Sequence, residues 1–256
     1  MISMYLLVVF CGLFAGFITT LAGLGSVLTL YVLMDVVQLP PDVANGTNRL
    51  GIMAMCLLAL PSFQQNGYLD IKRSWLIIVM IFIGAMFGFI LAITIDNTSF
   101  VNVFKYLLIL MLFLVIANPK RWIQESDYSH KINIFITIPL FFVIGFYAGF
   151  IQVGTGIFLI LSLAILGKYS LLEANGIKLS AFAIYTAVGL IIFSMSGKIN
   201  WPIGLSLAVG QGVGALITAR IATKSKNANK FVRYLLIAVL IVAIIHKFGL
   251  YTYFIG

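Results

Sequence analysis

The sequence predicts an all-α integral membrane protein of about eight hydrophobic helical segments, built as two four-segment repeats. Three observations carry this. Of the 256 residues, 62% are hydrophobic and 9% charged, far less charge than a soluble domain of this length keeps on its surface. Apolar runs of about 20 residues, the length that crosses a bilayer, recur from one end to the other. The chain also repeats itself at an offset of 130 residues, where "ANGTNR" (44–49) meets "ANGIKL" (174–179) and Gly67 meets Gly197.

Taken in order, the apolar segments run over 5–38, 44–62, 74–95, 100–118, 132–167, 174–196, 201–221 and 231–248. "MISMYLLVVF" lacks a basic leader and a small-residue cleavage site, so it reads as the first membrane segment rather than a signal peptide. The breaks carry loop chemistry: "QLPPD", "QQNGYLDIKR", "IDNTS", "GKYS", "TKSKNANK" and the longest, Asn118 to Lys131. Residues 1–118 therefore form the first membrane repeat, 119–131 a cytoplasmic linker loop and 132–256 the second repeat.

The first segment of each half is too long. Residues 5–34 and 134–167 are each mainly apolar and without a charge for 30 residues or more, about 45 Å as one straight helix against a hydrocarbon core about 30 Å thick. Each must tilt, break or turn back, and each holds a glycine pair where a break fits, Gly23 with Gly25 and Gly154 with Gly156. "GLFAGFITTLAGLGS" (12–26) matches "GFYAGFIQVGTGI" (145–157) with a two-residue gap, so the break belongs to the duplicated unit. If these segments fold back, each half crosses three times and the halves are inverted. The sixteen Lys and Arg then divide twelve against four, with only Arg49, Lys105, Lys198 and Lys247 on the outer face, whereas eight full crossings divide them nine against seven. The positive-inside bias favours inverted halves, and inverted repeats with broken helices place a binding site at their interface.

The candidate site residues cluster at these two features. A glycine break leaves free N–H groups at the positive end of the following half-helix, which suits an anion; Thr19, Thr20 and Ser26 flank one break, Gln152 and Thr155 the other. The alternative is that such glycines only permit close packing, which accounts for the GxxxG pairs Gly12/Gly16, Gly84/Gly88, Gly145/Gly149 and Gly210/Gly214. The hexapeptides contribute Asn45, Thr47, Asn48 and Arg49 from one half and Asn175, Lys178 and Ser180 from the other. A charge inside a span costs at least about 2.5–3.5 kcal/mol unless it faces a cavity or a partner. Snorkelling to the interface is the bland reading of both cations; a shared centre that holds a small anion is the functional one.

Several classes are excluded or unsupported. The seven acids lie at segment ends or in loops, so no span interior offers a carboxylate for proton relay. HExxH, GxSxG and Walker A patterns are missing, so neither catalysis nor a cofactor is implied. The net charge of +9 sits mainly between apolar runs, where it orients the chain in the bilayer rather than binding nucleic acid. Cys11 and Cys56 lie inside apolar runs and read as small core residues.

At "AGFITTLAGLGS" with "ANGTNR", and "AGFIQVGTGI" with "ANGIKL", the sequence resembles the TauE/SafE sulfite-exporter family of membrane permeases over nearly its whole length. The resemblance implies a plasma-membrane, multi-pass transporter of sulfite, sulfonates or related small sulfur-containing anions. Members often carry three glycines in a row after the break, whereas this chain has "GLGS" and "GTGI". Alternative classes are an anion channel and a non-transport membrane enzyme or assembly factor. An inside-negative membrane drives anions outward at about 2.3 kcal/mol per charge per 100 mV, and no buried carboxylate is present to couple a cation, so efflux is the expected direction.

Overall fold

The structure, a computed structural model, describes residues 2–117 and 133–222 together with residues 241, 244 and 245. The linker loop 119–131 and the last predicted segment, 231–248 (apart from those three residues), lie outside the described residues. All the described elements are helices, in the order α1 (Ile2–Ala22), α2 (Gly25–Tyr31) running into a π-helical turn (Val32–Val36), α3 (Pro41–Gln65), α4 (Ile71–Thr94), α5 (Asn97–Ala117), α6 (Ile134–Phe150), α7 (Thr155–Leu166), α8 (Leu171–Met195) and α9 (Trp201–Ala222). Six of them, α1, α3, α4, α5, α8 and α9, are long and apolar enough to cross a membrane.

Both overlong segments break at their glycines. Gly23 takes φ +76° between α1 and α2, and Gly154 takes φ +65° as the residue that opens α7. The chain then folds back. The start of α2 lies against α1, since a Cβ on Gly25 would meet the Ala15 carbonyl, and the Cys11 thiol reaches Leu28 O at 4.0 Å. Across the second break Tyr147 stacks edge-on against Phe158, with ring centroids 5.6 Å apart. The helices carrying the repeated hexapeptides begin earlier than the apolar runs predict, because local signals start them. Pro41 occupies the first turn of α3, while Ser170 and Glu173 close a capping box on α8. The hexapeptides therefore sit one turn inside the helices.

The predicted packing glycines pair off between the halves. Gly12 and Gly16 of α1 face Gly210 and Gly214 of α9, and Gly145 and Gly149 of α6 face Gly84 and Gly88 of α4. At each, a Cβ would stand 2.0–2.7 Å from a backbone oxygen of the partner helix. Lipid supplies no hydrophobic force between helices, so backbone approach of this kind is what holds a pair together. Each half thus lends its first helix to the other half.

Two sets of turns gather at opposite ends of α3. Around its start, Lys198 Nζ pairs with Asp42 at 3.2 Å and donates to Ile93 O at 2.7 Å, and Asn200 N donates to Thr47 Oγ1 at 2.9 Å. Beyond its end, Arg73 Nη2 donates to Gly167 O at 2.9 Å and the guanidinium lies over the Tyr169 ring at 4.2 Å. Burial pushes the Tyr169 hydroxyl up to about 12, so it stays a neutral donor to Arg73 O at 3.1 Å. The start of α3 consequently lies with the end of α8, and the start of α8 with the end of α3. Two further contacts repeat at the duplication offset: the turn carbonyl of Tyr68 sits where Gly176 lacks a side chain, and that of Lys198 where Gly46 does.

Gly23 and Gly67 separate contact from backbone strain. Both have φ near +75°, but a Cβ on Gly23 would strike Gly156 backbone at 2.3 Å, whereas nothing lies within 4 Å of one on Gly67. Gly67→Ala is expected to cost about 1 kcal/mol through its left-handed backbone alone, and Gly23→Ala about 1–3 kcal/mol more through the clash. Thermal melting in detergent reads the difference. Equal losses would mean that the two breaks are not held in contact.

Candidate functional site

A helix that ends inside a bundle leaves its last carbonyls unpaired, and leaving them so in a membrane is costly. The sequence answers this with side chains from the opposite half. On α3, Asn45 and Arg49 stand one turn apart on the same face. Asn45 Nδ2 donates to Phe150 O at 2.8 Å and Arg49 Nη2 to Gly149 O at 2.5 Å, both in the last turn of α6. On α8, Lys178 Nζ donates to Thr19 O at 2.8 Å and Thr20 O at 3.3 Å, near the end of α1, and to Asn175 Oδ1 at 2.6 Å. A cation at a helix C-terminus also meets the negative end of its dipole. Each half thereby caps the broken helix of the other.

The two cations differ in what they have left. Lys178 is fully buried and directs its ammonium at those three oxygens. Arg49 is also 0% exposed, and its guanidinium lies between the rings of Phe89 and Phe193, 4.7 Å from each centroid. Its Nη1 donates to Gln152 Oε1 at 3.3 Å, and Gln152 is held in turn by donating from Nε2 to the Tyr185 hydroxyl at 2.8 Å. Arg49 Nε has no partner among the described residues. Among the described residues no carboxylate pairs with Arg49.

The remaining predicted residues fall into three groups. Gly23 and Gly156 bring the two breaks together, since a Cβ on Gly156 would lie 2.4 Å from Gly23 Cα. Beside them Thr155 is buried with its hydroxyl unpartnered. Several hydroxyls predicted as ligand donors are instead engaged inside their own helices: Thr19 with Ala15 O at 2.7 Å, Thr20 with Gly16 O at 2.8 Å and Ser180 with Gly176 O at 3.0 Å. Thr47 accepts from Asn200, and Asn48 Oδ1 accepts from Thr29 Oγ1 at 2.6 Å, with Ser26 buried close by in α2.

Sequence reasoning passed over Phe89, Phe193, Tyr185, Thr186 and Gln211, all buried around these helices. Tyr185 and Thr186 form a polar pair inside an apolar run, and Gln211 is the one amide in α9, so those three left a trace. Phe89 and Phe193 left none, being two of 21 phenylalanines. No group of His, Cys, Asp and Glu among the described residues suits a metal ion.

Comparison with known proteins meets this arrangement. Residues 8–246 match the family model described as "Sulfite exporter TauE/SafE". The chain belongs to that family. Similar relatives are a "Probable membrane transporter protein" of Haemophilus influenzae, 28% identical over 87% of this chain and 87% of that one, and "Probable membrane transporter protein YfcA" of Escherichia coli, 27% identical over 90% and 84%. "Probable membrane transporter protein YunE" of Bacillus subtilis is 24% identical over 87% and 90%. No solved structure matches. The TauE/SafE chain is thus a multi-pass membrane protein of a transporter family rather than an enzyme family.

The capping geometry predicts separate consequences for the two cations. Lys178→Met removes the charged cap of α1 and is expected to lower stability by about 2–3 kcal/mol, while Lys178→Arg recovers most of it. Thermal melting of the purified variants checks this. An unchanged melting temperature for Lys178→Met would show that the cap contributes nothing.

Proposed function

We propose that this TauE/SafE protein carries a small sulfur-containing oxyanion, sulfite or a sulfonate, outward across the plasma membrane, and that Arg49 holds the anion. The observation that carries the reading is Arg49 itself: a fully buried cation that, among the described residues, has no carboxylate partner and keeps an N–H free. A buried charge lacking a counter-charge costs several kcal/mol. A transient anion relieves that cost while bound and restores it on release. The transporter family and the relatives' names support the class, and the family description supports sulfite as the first candidate.

The transport reading includes inverted halves. The opposed starts of α3 and α8 support it, as does the charge count. Arg49 and Lys178 are buried within helices, so they drop out of the loop count and leave eleven cations against three. The turns at 66–70 and 167–170 are then cytoplasmic, and the Asp42–Lys198 pair outer. A cleft of about 410 Å³ between α3 and α9, lined by Ser62, Gln65, Asn66 and Arg220 among others, opens at the cytoplasmic end. Direction follows from the potential: a negative interior expels an anion at about 2.3 kcal/mol per charge per 100 mV, with no carboxylate among the described residues at Arg49 to couple a cation.

The test is efflux of radiolabelled sulfite from vesicles holding the purified protein under an imposed potassium-diffusion potential. Efflux should saturate, rise as the interior becomes more negative, and fall at least about tenfold, a loss of roughly 1.4 kcal/mol or more, in Arg49→Gln. Arg49→Lys should not rescue it, because a lysine keeps the charge but lacks the fork and the Nε–H. Efflux indifferent to the potential, or equal in Arg49→Gln, would contradict the reading.

A further inference from the structure

Arg49 Nε is one of several buried polar atoms left without a partner beside α3, and some of the others are acceptors. Asn45 must present its Nδ2 to Phe150 O, because a carbonyl only accepts, so its free atom is Oδ1. That oxygen lies one helical turn from Arg49, and the two side chains anchor on adjacent carbonyls of α6. On the far face of α3 stands Gln211 of α9, 0% exposed, with neither amide atom partnered. Its Oε1 lies 1.8 Å from where a Cβ on Gly51 would be, so the amide occupies the room that glycine leaves. Asn48, one turn before Gly51, offers an unpartnered Nδ2. The residue 130 positions after Gly51 is Ala181, so this amide pocket is not a by-product of the duplication.

Two places along α3 therefore each carry, about one helical turn apart, an N–H and a carbonyl-type oxygen that no described residue engages. A fully deprotonated oxyanion satisfies only the N–H and leaves the oxygen facing like charge. Water satisfies both but does nothing for the charge on Arg49. An ion that satisfies all three has one negative charge and an O–H. We propose that the species carried is a singly charged oxyanion that retains a hydroxyl, its charge meeting Arg49 Nε and its O–H donating to Asn45 Oδ1, with the Asn48 and Gln211 amides offering the same pairing at a second station. This rests on the anion reading above and narrows its substrate to the monoprotonated form. One charge also matches the single guanidinium here that has an N–H to offer.

The buried titratable groups on the packed elements are Cys56 on α3, Glu173, Lys178 and Tyr185 on α8, and Cys11 on α1; Tyr5 and Tyr147 on α1 and α6, Tyr31 and Asp35 in and after α2, Lys105 on α5 and Arg220 on α9 are more exposed, and Asp42 and Lys198 pair at the start of α3. The test must therefore separate titration of the ligand from titration of the protein. Purified full-length protein in vesicles, with equal pH on both sides and no potential, is assayed from pH 6 to 8.5 with sulfite, sulfate, methanesulfonate and isethionate. Sulfite loses its O–H near neutrality, sulfate is a dianion throughout, methanesulfonate is singly charged without an O–H, and isethionate is singly charged with one.

Sulfite flux at fixed total concentration should fall roughly tenfold per pH unit once the ion deprotonates. Isethionate flux should stay level, and above that of methanesulfonate and sulfate. Gln211→Leu should lower the ratio of sulfite to methanesulfonate flux several-fold, a ratio that loss of folded protein cannot imitate. Sulfite flux that is level or rises with pH, sulfate or methanesulfonate carried as well as sulfite at pH 6, or a parallel fall in isethionate flux would overturn the inference while leaving anion transport standing. If none of the four ions moves, the anion reading itself fails, and this inference with it.

Discussion

Breaking a helix inside a membrane requires something to meet the carbonyls it exposes, and here each half meets that need for the other. Asn45 and Arg49 reach the end of α6, and Lys178 reaches the end of α1. Neither half is complete alone in this respect. The reciprocity explains why a lipid-embedded chain carries a cation at almost the same place twice: without it each break would face hydrocarbon with orphan carbonyls, each costing several kcal/mol. The glycine stripes that press α1 on α9 and α6 on α4 act in the same sense, bringing the first helix of one half within capping distance of the hexapeptide-bearing helix of the other.

The same arrangement makes the two halves chemically unequal. Lys178 turns its ammonium toward oxygens of α1 and of its own helix. Arg49 has a wider fork, and the two Nη groups suffice for α6 and Gln152, so Nε remains. Aromatic rings on both sides stabilise the guanidinium without accepting its N–H. Gln152 accepts from Nη1 and is itself held by its hydrogen bond to Tyr185. A position duplicated for folding thus keeps, in one copy, an N–H that no described residue engages.

Much of the fold was legible because membrane thickness is a hard ruler: an apolar run over 30 residues long cannot cross once and straight, and Gly23 and Gly154 were the places for it to yield. The GxxxG pairs were legible for the same reason, since little else brings helices together in lipid. The site was legible only where polarity stood out against the run. Asn45, Arg49, Gln152, Asn175 and Lys178 did. Whether Thr19, Thr20 or Ser180 offers a hydroxyl to a ligand or to its own helix depends on rotamer choice, which spacing does not report. Phe89 and Phe193 were invisible because lipid and protein interior are equally apolar, so an inward phenylalanine reads like an outward one. The Asp42–Lys198 pair joins residues far apart in the chain, and only the folded arrangement brings them together.

The most direct measurement of the central claim is a crystal structure with selenite, a heavier analogue of sulfite whose anomalous signal locates it without reference to the protein atoms. The account predicts one strong peak within hydrogen-bonding distance of Arg49 Nε, with Lys178 still bound to the Thr19 and Thr20 carbonyls. A peak at Lys178 with the cap of α1 released, or none near Arg49 at concentrations that support flux, would contradict it.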